Sequence, residues 1–260
     1  MDESLKKIDA STESKPDSCA THGEFVSTAF KFGERVMHWS GCPQCGRIHS
    51  EKAAADAVQL EAKERQARLE ARLSKSGIPI RYRAKDFASY VAGSDKQEKA
   101  LSIAMEFASN FKHHVEAGTV VVFSGLPGTG KSHLATAIAQ EVMKSHTVLY
   151  TSAIDAVRMI RDTWRRDSPR TESQVLQELS ALGLLVLDEV GVQYGSEAEQ
   201  VTLFDIIDKR YRDLMPTILL TNLNKTGMKT FLGDRSFDRL REGGIWITFD
   251  WDSQRGKVAA

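Results

Sequence analysis

Short apolar runs and helical stripes alternate along residues 96–249 of this 260-residue chain. Thr119-Val120-Val121-Val122-Phe123 is apolar without alternation, as expected of a strand covered on both faces. Residues 147–151, 184–189, 217–222 and 245–249 repeat that type, each bounded by polar or glycine-bearing stretches. Between them the period changes: Ala100, Ile103, Ala104, Phe107, Ala108 and Phe111 form one helical stripe, and residues 133–143 read as another helix. Strands that alternate with helices predict an α/β fold, a parallel five-stranded sheet with helices on both faces.

The first third is patterned differently. Residues 1–17 carry too little apolar surface to fold and read as a flexible leader. Phe25, Val26, Ala29, Phe30 and Phe32, then Val36, Met37 and Trp39, predict a short hairpin within a small module spanning 18–50. Residues 51–76 are rich in Ala, Glu, Lys and Arg and predict a helix. Its stripe of Val58, Ala62, Leu69 and Leu73 is thin, so it is either a partner-binding helix or a solvated spacer held by pairs such as Glu61 with Arg65. Gly77 stops it and Ile78-Pro79 forces an extended exit, which puts the start of the α/β domain at residue 77.

Charge narrows the partners. Lys plus Arg and Asp plus Glu balance at 35 each, so any contact with nucleic acid must come from a local patch. No apolar run approaches a membrane span and residues 1–6 lack an apolar signal core, so a cytoplasmic protein without membrane contact is expected.

The three cysteines are confined to the first fifth of the chain and fall in a C-x₂-H and a C-x₂-C pair. Cys19, His22, Cys42 and Cys45 can close a tetrahedron around Zn²⁺ in a zinc-ribbon-like module, with His38 or His49 able to replace His22. Cys42-Pro-Gln-Cys45-Gly46 reads as a tight turn whose N–H groups face thiolate sulfur. Four protein ligands leave no open position, so such a metal would be structural.

The chemistry sits after the first strand of the α/β region. Gly125-Leu126-Pro127-Gly128-Thr129-Gly130-Lys131-Ser132 fits the phosphate-binding loop at every fixed position. Its glycines let backbone N–H groups converge on phosphates, Lys131 adds a cation, Ser132 is placed to ligate Mg²⁺, and His133 opens the helix behind. ATP with Mg²⁺ is the expected ligand. At the end of a buried strand, Asp188 can hold that Mg²⁺ through water, and Glu189 can deprotonate the water that attacks the γ-phosphate. Asn222, ending the next strand, can contact the same water. The strand lying between the loop and Asp188 in sequence predicts that Lys131 and Glu189 sit on neighbouring strands.

The stretch between the second and third of these strands is locally basic. Arg158, Arg161 and Arg165 fall at i, i+3 and i+7 on one helical face, with Trp164 beside them. Guanidiniums for phosphates and an aromatic for a base suit single-stranded DNA, while Asp162 and Asp167 allow a merely solvated, paired face.

From residue 75 to 256 the chain resembles the AAA+ family, and within it the DnaC-type loaders of the bacterial replicative helicase and their phage relatives. The resemblance is carried by Ser76-Gly77-Ile78-Pro79, the phosphate loop through Ala135, and the stretch from Leu185 to Gln193. It extends through Leu220-Thr221-Asn222-Leu223-Asn224, Leu232-Gly233-Asp234-Arg235 with Asp238-Arg239, and Trp251-Asp252-Ser253-Gln254-Arg255. It implies an additional-strand P-loop fold lacking a full C-terminal lid, with sites completed by neighbouring subunits. It implies Arg239, with Arg235 as alternate, as an arginine finger acting in trans, and Arg255 as a sensor in cis. It further implies a weak ATPase stimulated by single-stranded DNA, self-association through the ATPase domains, and a hexameric DnaB-type helicase as partner. The cysteine-bearing N-terminus departs from the DnaC pattern. IstB-type transposition helpers share the core and would act on duplex DNA, and a nucleotide-gated adaptor or a zinc-dependent DNA binder are further readings.

Overall fold

The computed structural model describes residues 10–32, 34–192 and 197–256. The chain divides into two compact units, Met1–Ala67 and Arg68–Ala260.

In the first unit β1 (Ala10–Cys19) and β2 (Gly23–Phe32) form an antiparallel hairpin closed at Cys19 opposite Gly23, and β3 (Arg35–Val36) adds two residues to the far side of β2. Residues 10–17, expected in a flexible leader, are therefore a strand; residues 1–9 lie outside the described residues. Backbone pairing overrides composition here, since each polar β1 residue meets a β2 residue in register, Thr12 opposite Phe30 and Pro16 opposite Val26. Pro16 is tolerated because β1 is the edge strand. The helix α1 (Pro43–Lys75) begins eight residues before the expected 51, with proline at its first position, where a missing N–H costs nothing. Cys45 accordingly lies in a helical turn and not in a tight loop.

The boundary between units falls inside α1, ten residues before Gly77. Its last turns belong to the second unit because Leu73 packs on that unit's core and Arg72 Nη1 donates to the carbonyls of Met143 (2.6 Å) and Lys144 (2.7 Å).

The second unit is built on five parallel strands: β4 (Val120–Gly125), β5 (Val148–Ser152), β6 (Leu184–Val190), β7 (Thr217–Thr221) and β8 (Ile245–Phe249). Their spatial order is β5-β6-β7-β4-β8. The apolar runs split between two cores. Val121 and Phe123 face Leu134 and Ile138 of α4 (Lys131–Val142), beneath α2 (Asp95–Ser109) and α3 (Phe111–Ala117). Val120 and Val122 face the layer of α5 (Ala153–Arg161), α6 (Glu172–Ser180), α7 (Glu197–Arg212) and α8 (Lys225–Glu242). The stripe over 96–111 breaks at Asn110 (φ −101°) into α2 and α3.

One topological expectation is corrected. The phosphate-loop strand β4 and the acid-bearing β6 are not neighbours, because β7 is inserted between them and pairs with both. The strand that separates them in sequence, β5, lies at the sheet edge. Asn222 at the end of β7 is thereby delivered between Lys131 and Glu189. Among the described residues no helix follows β8.

Candidate functional site

Strand β4 ends at Gly125 and α4 starts at Lys131, so five residues curl over the carboxyl end of the sheet. Thr129 closes the loop by donating from Oγ1 to the Leu126 carbonyl (2.8 Å). Gly128 has φ +84°, and a Cβ there would overlap Ser253 Oγ, so no other residue suits both the turn and the approach of the chain after β8. That chain clamps the loop: Gln254 N donates to the Gly128 carbonyl (2.8 Å) and Trp251 Nε1 to that of Thr129 (2.8 Å).

Lys131 is buried, and its Nζ donates to two neutral carbonyls, Gly125 (2.5 Å) and Leu126 (2.7 Å). Burial lowers its pKa to about 8; Asp188 opposes the shift and Arg255 adds to it. A buried ammonium with neutral partners is a receptor for a polyanion. Asp188 is held at both oxygens: Oδ1 accepts the Glu189 N–H (2.8 Å), and Oδ2 accepts Ser132 Oγ (3.2 Å) and the hydroxyl of Tyr150. A hydroxyl and a carboxylate together suit a hard cation such as Mg²⁺. Glu189 is exposed on left-handed backbone (φ +59°) beside a register shift in the β6–β7 ladder, an unusual conformation for a non-glycine residue.

A cleft of about 450 Å³ gathers Pro127, Gly128, Gly130, Lys131, Ser132, His133, Asp188, Glu189, Asn222 and Arg255. Of the residues expected to bind nucleotide, Gly125 and Thr129 shape the loop from behind without lining the cleft. His133 also ties down the preceding segment, its Nε2–H donating to the Asp86 carbonyl (2.8 Å), and burial lowers its pKa. Arg81, Tyr82, Lys85 and Gln254 line the cleft as well. Sequence reading passed over the first three because they come from a short 3₁₀ turn and the loop after it, with no motif spacing. Gln254 lies in Trp251-Asp252-Ser253-Gln254-Arg255, one of the stretches that carry the family resemblance.

Cys19, His22, Cys42 and Cys45 converge. Their ligand atoms all lie within 4.8 Å of one another, with His22 Nδ1 3.3 Å from Cys45, 3.7 Å from Cys19 and 3.7 Å from Cys42, and Cys19 3.6 Å from Cys45. A tetrahedral zinc with bonds of about 2.3 Å to sulfur and about 2.0 Å to nitrogen spaces its ligand atoms roughly 3.5–3.8 Å apart. The set fits that ion. His38 and His49 are not in the cluster. One pair, Cys19 and His22, sits where β1 turns into β2 and the other, Cys42 and Cys45, at the start of α1. Backbone N–H groups of Thr21 and His22 draw the Cys19 pKa down to about 6, while hydrogen bonding to Cys19 and burial push Cys45 up to about 11.

The basic strip is only partly assembled. Arg158 and Arg161 lie on α5, but the helix ends at Arg161, passes through a 3₁₀ turn, and leaves Arg165 extended (ψ 139°). Arg165 therefore does not share their face. Arg158 pairs with Asp155 (2.9 Å) and Arg165 with Asp167 (3.5 Å), whereas Trp164 is 54% exposed and donates from Nε1 to Glu172 (2.7 Å). Arg239 is away from the cleft, ion-paired with Asp208 and stacked 5.7 Å from the Tyr211 ring centroid. Arg235 is exposed just past Gly233, whose φ of 75° and ψ of 160° break α8.

An inserted strand between the phosphate-loop and acid-bearing strands, with a polar residue at its tip, defines a P-loop ATPase fold of the AAA+ class. Within it, the chain belongs to the IstB-like ATP-binding protein family, whose model matches residues 48–241. It is 35% identical to the replicative helicase loader DnaC of Escherichia coli K12 over 235 residues, 90% of this chain and 91% of that one. The Buchnera aphidicola (Acyrthosiphon pisum) DnaC is 32% identical over the same shares, and the uncharacterised Escherichia coli protein YdaV 37% identical over 77% of this chain and 79% of its own. Solved structures agree in fold: a DnaC helicase loader (TM-score 0.59, 23% identity, 65% of this chain and 99% of that one) and Aquifex aeolicus DnaA bound to AMPPCP (0.55, 23%, 67% and 52%).

Proposed function

We propose that this protein is an ATP-hydrolysing loader that places a hexameric replicative helicase on single-stranded DNA. The observation that carries the reading is the match to DnaC loaders over 90% of a chain whose phosphate loop, acidic pair and Asn222 meet in one cleft.

Bound ATP with Mg²⁺ supplies the phosphoanhydride whose cleavage drives the cycle. Lys131 meets the phosphates, Ser132 and Asp188 hold the cation, Glu189 takes the proton of the attacking water, and Asn222 orients that water. Arg255 supplies positive charge from the same chain. Hydrolysis is weak alone and rises with single-stranded DNA on the α5 strip. Cys19, His22, Cys42 and Cys45 hold a structural Zn²⁺ that folds the module facing the helicase, and the ATPase units associate so that an arginine of one completes the site of the next.

The test mixes the protein with DnaB-type hexamers from plausible hosts, with and without ATP and a single-stranded oligonucleotide, and follows mass by size exclusion with light scattering. A defined co-complex is the expected result. Absence of any complex alongside tight binding to duplex DNA would transfer the protein to the transposition-helper reading.

A further inference from the structure

The metal-facing carboxylate Asp188 has a neighbour that no motif announces. Tyr150 lies in β5, the edge strand next to β6, and is buried with 3% of its surface exposed. Its hydroxyl donates to Asp188 Oδ2, the oxygen that also accepts Ser132 Oγ. With Glu189 N–H on Oδ1, the carboxylate cannot turn without breaking a bond on one side.

The backbone of the same tyrosine is gripped from the other direction. Tyr150 N–H donates to the Ser76 carbonyl (2.7 Å), outside the β5–β6 ladder, where the chain leaves α1. Gly77 (φ +71°) lets that strap lie flat, because a Cβ there would overlap the Tyr150 carbonyl oxygen. Ser76 and Ile78 on either side are both 2% exposed, so the strap is locked into the core at this point. A shift of the α1 exit must move the Tyr150 backbone, and with it the hydroxyl on Asp188.

We infer that Tyr150 is a positioning residue that sets the orientation of Asp188 toward Mg²⁺ and ties it to the strap at Ser76-Gly77 through which α1 enters the ATPase unit. The inference rests on the reading of Asp188 as the metal-holding acid. It assigns Tyr150 no contact with nucleotide, so its effect is confined to the metal-dependent part of binding and turnover.

The experiment compares the affinity of a fluorescent ATP analogue in Mg²⁺ and in chelator for wild type, Asp188→Asn and Tyr150→Phe. Phenylalanine keeps the ring and its packing and removes only the donor. Asp188→Asn is expected to remove most of the gain that Mg²⁺ confers. Tyr150→Phe is expected to reduce that gain about three- to tenfold, the weight of one ordinary hydrogen bond, with affinity in chelator unchanged. No loss in Asp188→Asn would overturn the reading of Asp188 and this inference with it. A wild-type gain in Tyr150→Phe beside a diminished one in Asp188→Asn would overturn the role of Tyr150 alone. Gly77→Ala is expected to lower the gain too, and to add nothing in the Tyr150→Phe background, whereas additive losses would detach the strap from the carboxylate.

Discussion

Lys131 carries a charge its surroundings disfavour, and this gives nucleotide binding a pH dependence of fixed sign. Burial brings its pKa from the ordinary lysine value of 10.5 to about 8. In the bare protein the unfolded state therefore holds more protons between those values, and folding stability rises with pH across that window. Bound triphosphate acts the other way: it favours the ammonium, raises the pKa, and makes binding take up a proton above about pH 8. Affinity for a non-hydrolysable ATP analogue should then be flat, as far as this residue is concerned, below pH 7.5. It should fall with pH toward 10, by at most about tenfold per unit. Calorimetry at pH 9 in two buffers of different ionisation enthalpy should register the uptake, and Lys131→Arg, which cannot titrate there, should abolish it. An affinity that does not change between pH 8 and 10 would mean that the ammonium is no partner of the phosphates.

At the scale of elements, the zinc proposed for Cys19, His22, Cys42 and Cys45 bears on how the N-terminal module folds. Ala29 is the one apolar side chain that becomes buried before Ile78 among the described residues, and Val26, Phe30 and Met37 remain exposed. A hairpin of two ten-residue strands with so little core does not hold itself, and a zinc held by the four ligand atoms would supply what burial does not. One zinc per chain, released on thiol modification and read with a colorimetric chelator, is the expected stoichiometry. Cys42→Ser should lower it and open residues 10–45 to limited proteolysis while ATP binding in the second unit is kept; a metal-free protein with a protected hairpin would show the module to be self-sufficient. This element also marks where sequence reading ran short. The clustering of Cys19, His22, Cys42 and Cys45 and the five sheet strands were legible because each is a local pattern, cysteine spacing or an unbroken apolar run. Strand β1 was not, because polar residues 10–17 owe their conformation to β2 across the ladder. The place of β7 between β4 and β6 was hidden for the same reason: connection order along the chain does not state spatial order. Tyr150, one hydroxyl in an apolar strand, acquires its meaning only when Asp188 is beside it.

For the molecule as a whole, the proposed self-association has one subunit lend an arginine to the next, and the two named by the family resemblance differ in their surroundings. Arg239 is committed within its own chain, paired with Asp208, which Arg212 also engages at 3.0 Å, and lying over Tyr211. Reaching another subunit would cost it that ion pair and leave Asp208 to Arg212 alone. Arg235 stands exposed where the break at Gly233 turns the second half of α8, and this supports Arg235 as the residue acting in trans. Complementation between two defective proteins separates the alternatives. Glu189→Gln retains both arginines but lacks the base in its own site, whereas Arg235→Ala retains the base and lacks the lent guanidinium. Each alone should be nearly inactive in single-stranded-DNA-stimulated hydrolysis. An equal mixture should recover about a quarter of wild-type turnover, the share of head-to-tail contacts that bring an intact Glu189 to an intact arginine. Rescue of Arg239→Ala in place of Arg235→Ala would move the role to Arg239. If neither mixture gains activity, the site is completed inside one chain, and Arg255, already in the cleft, is the cation that completes it.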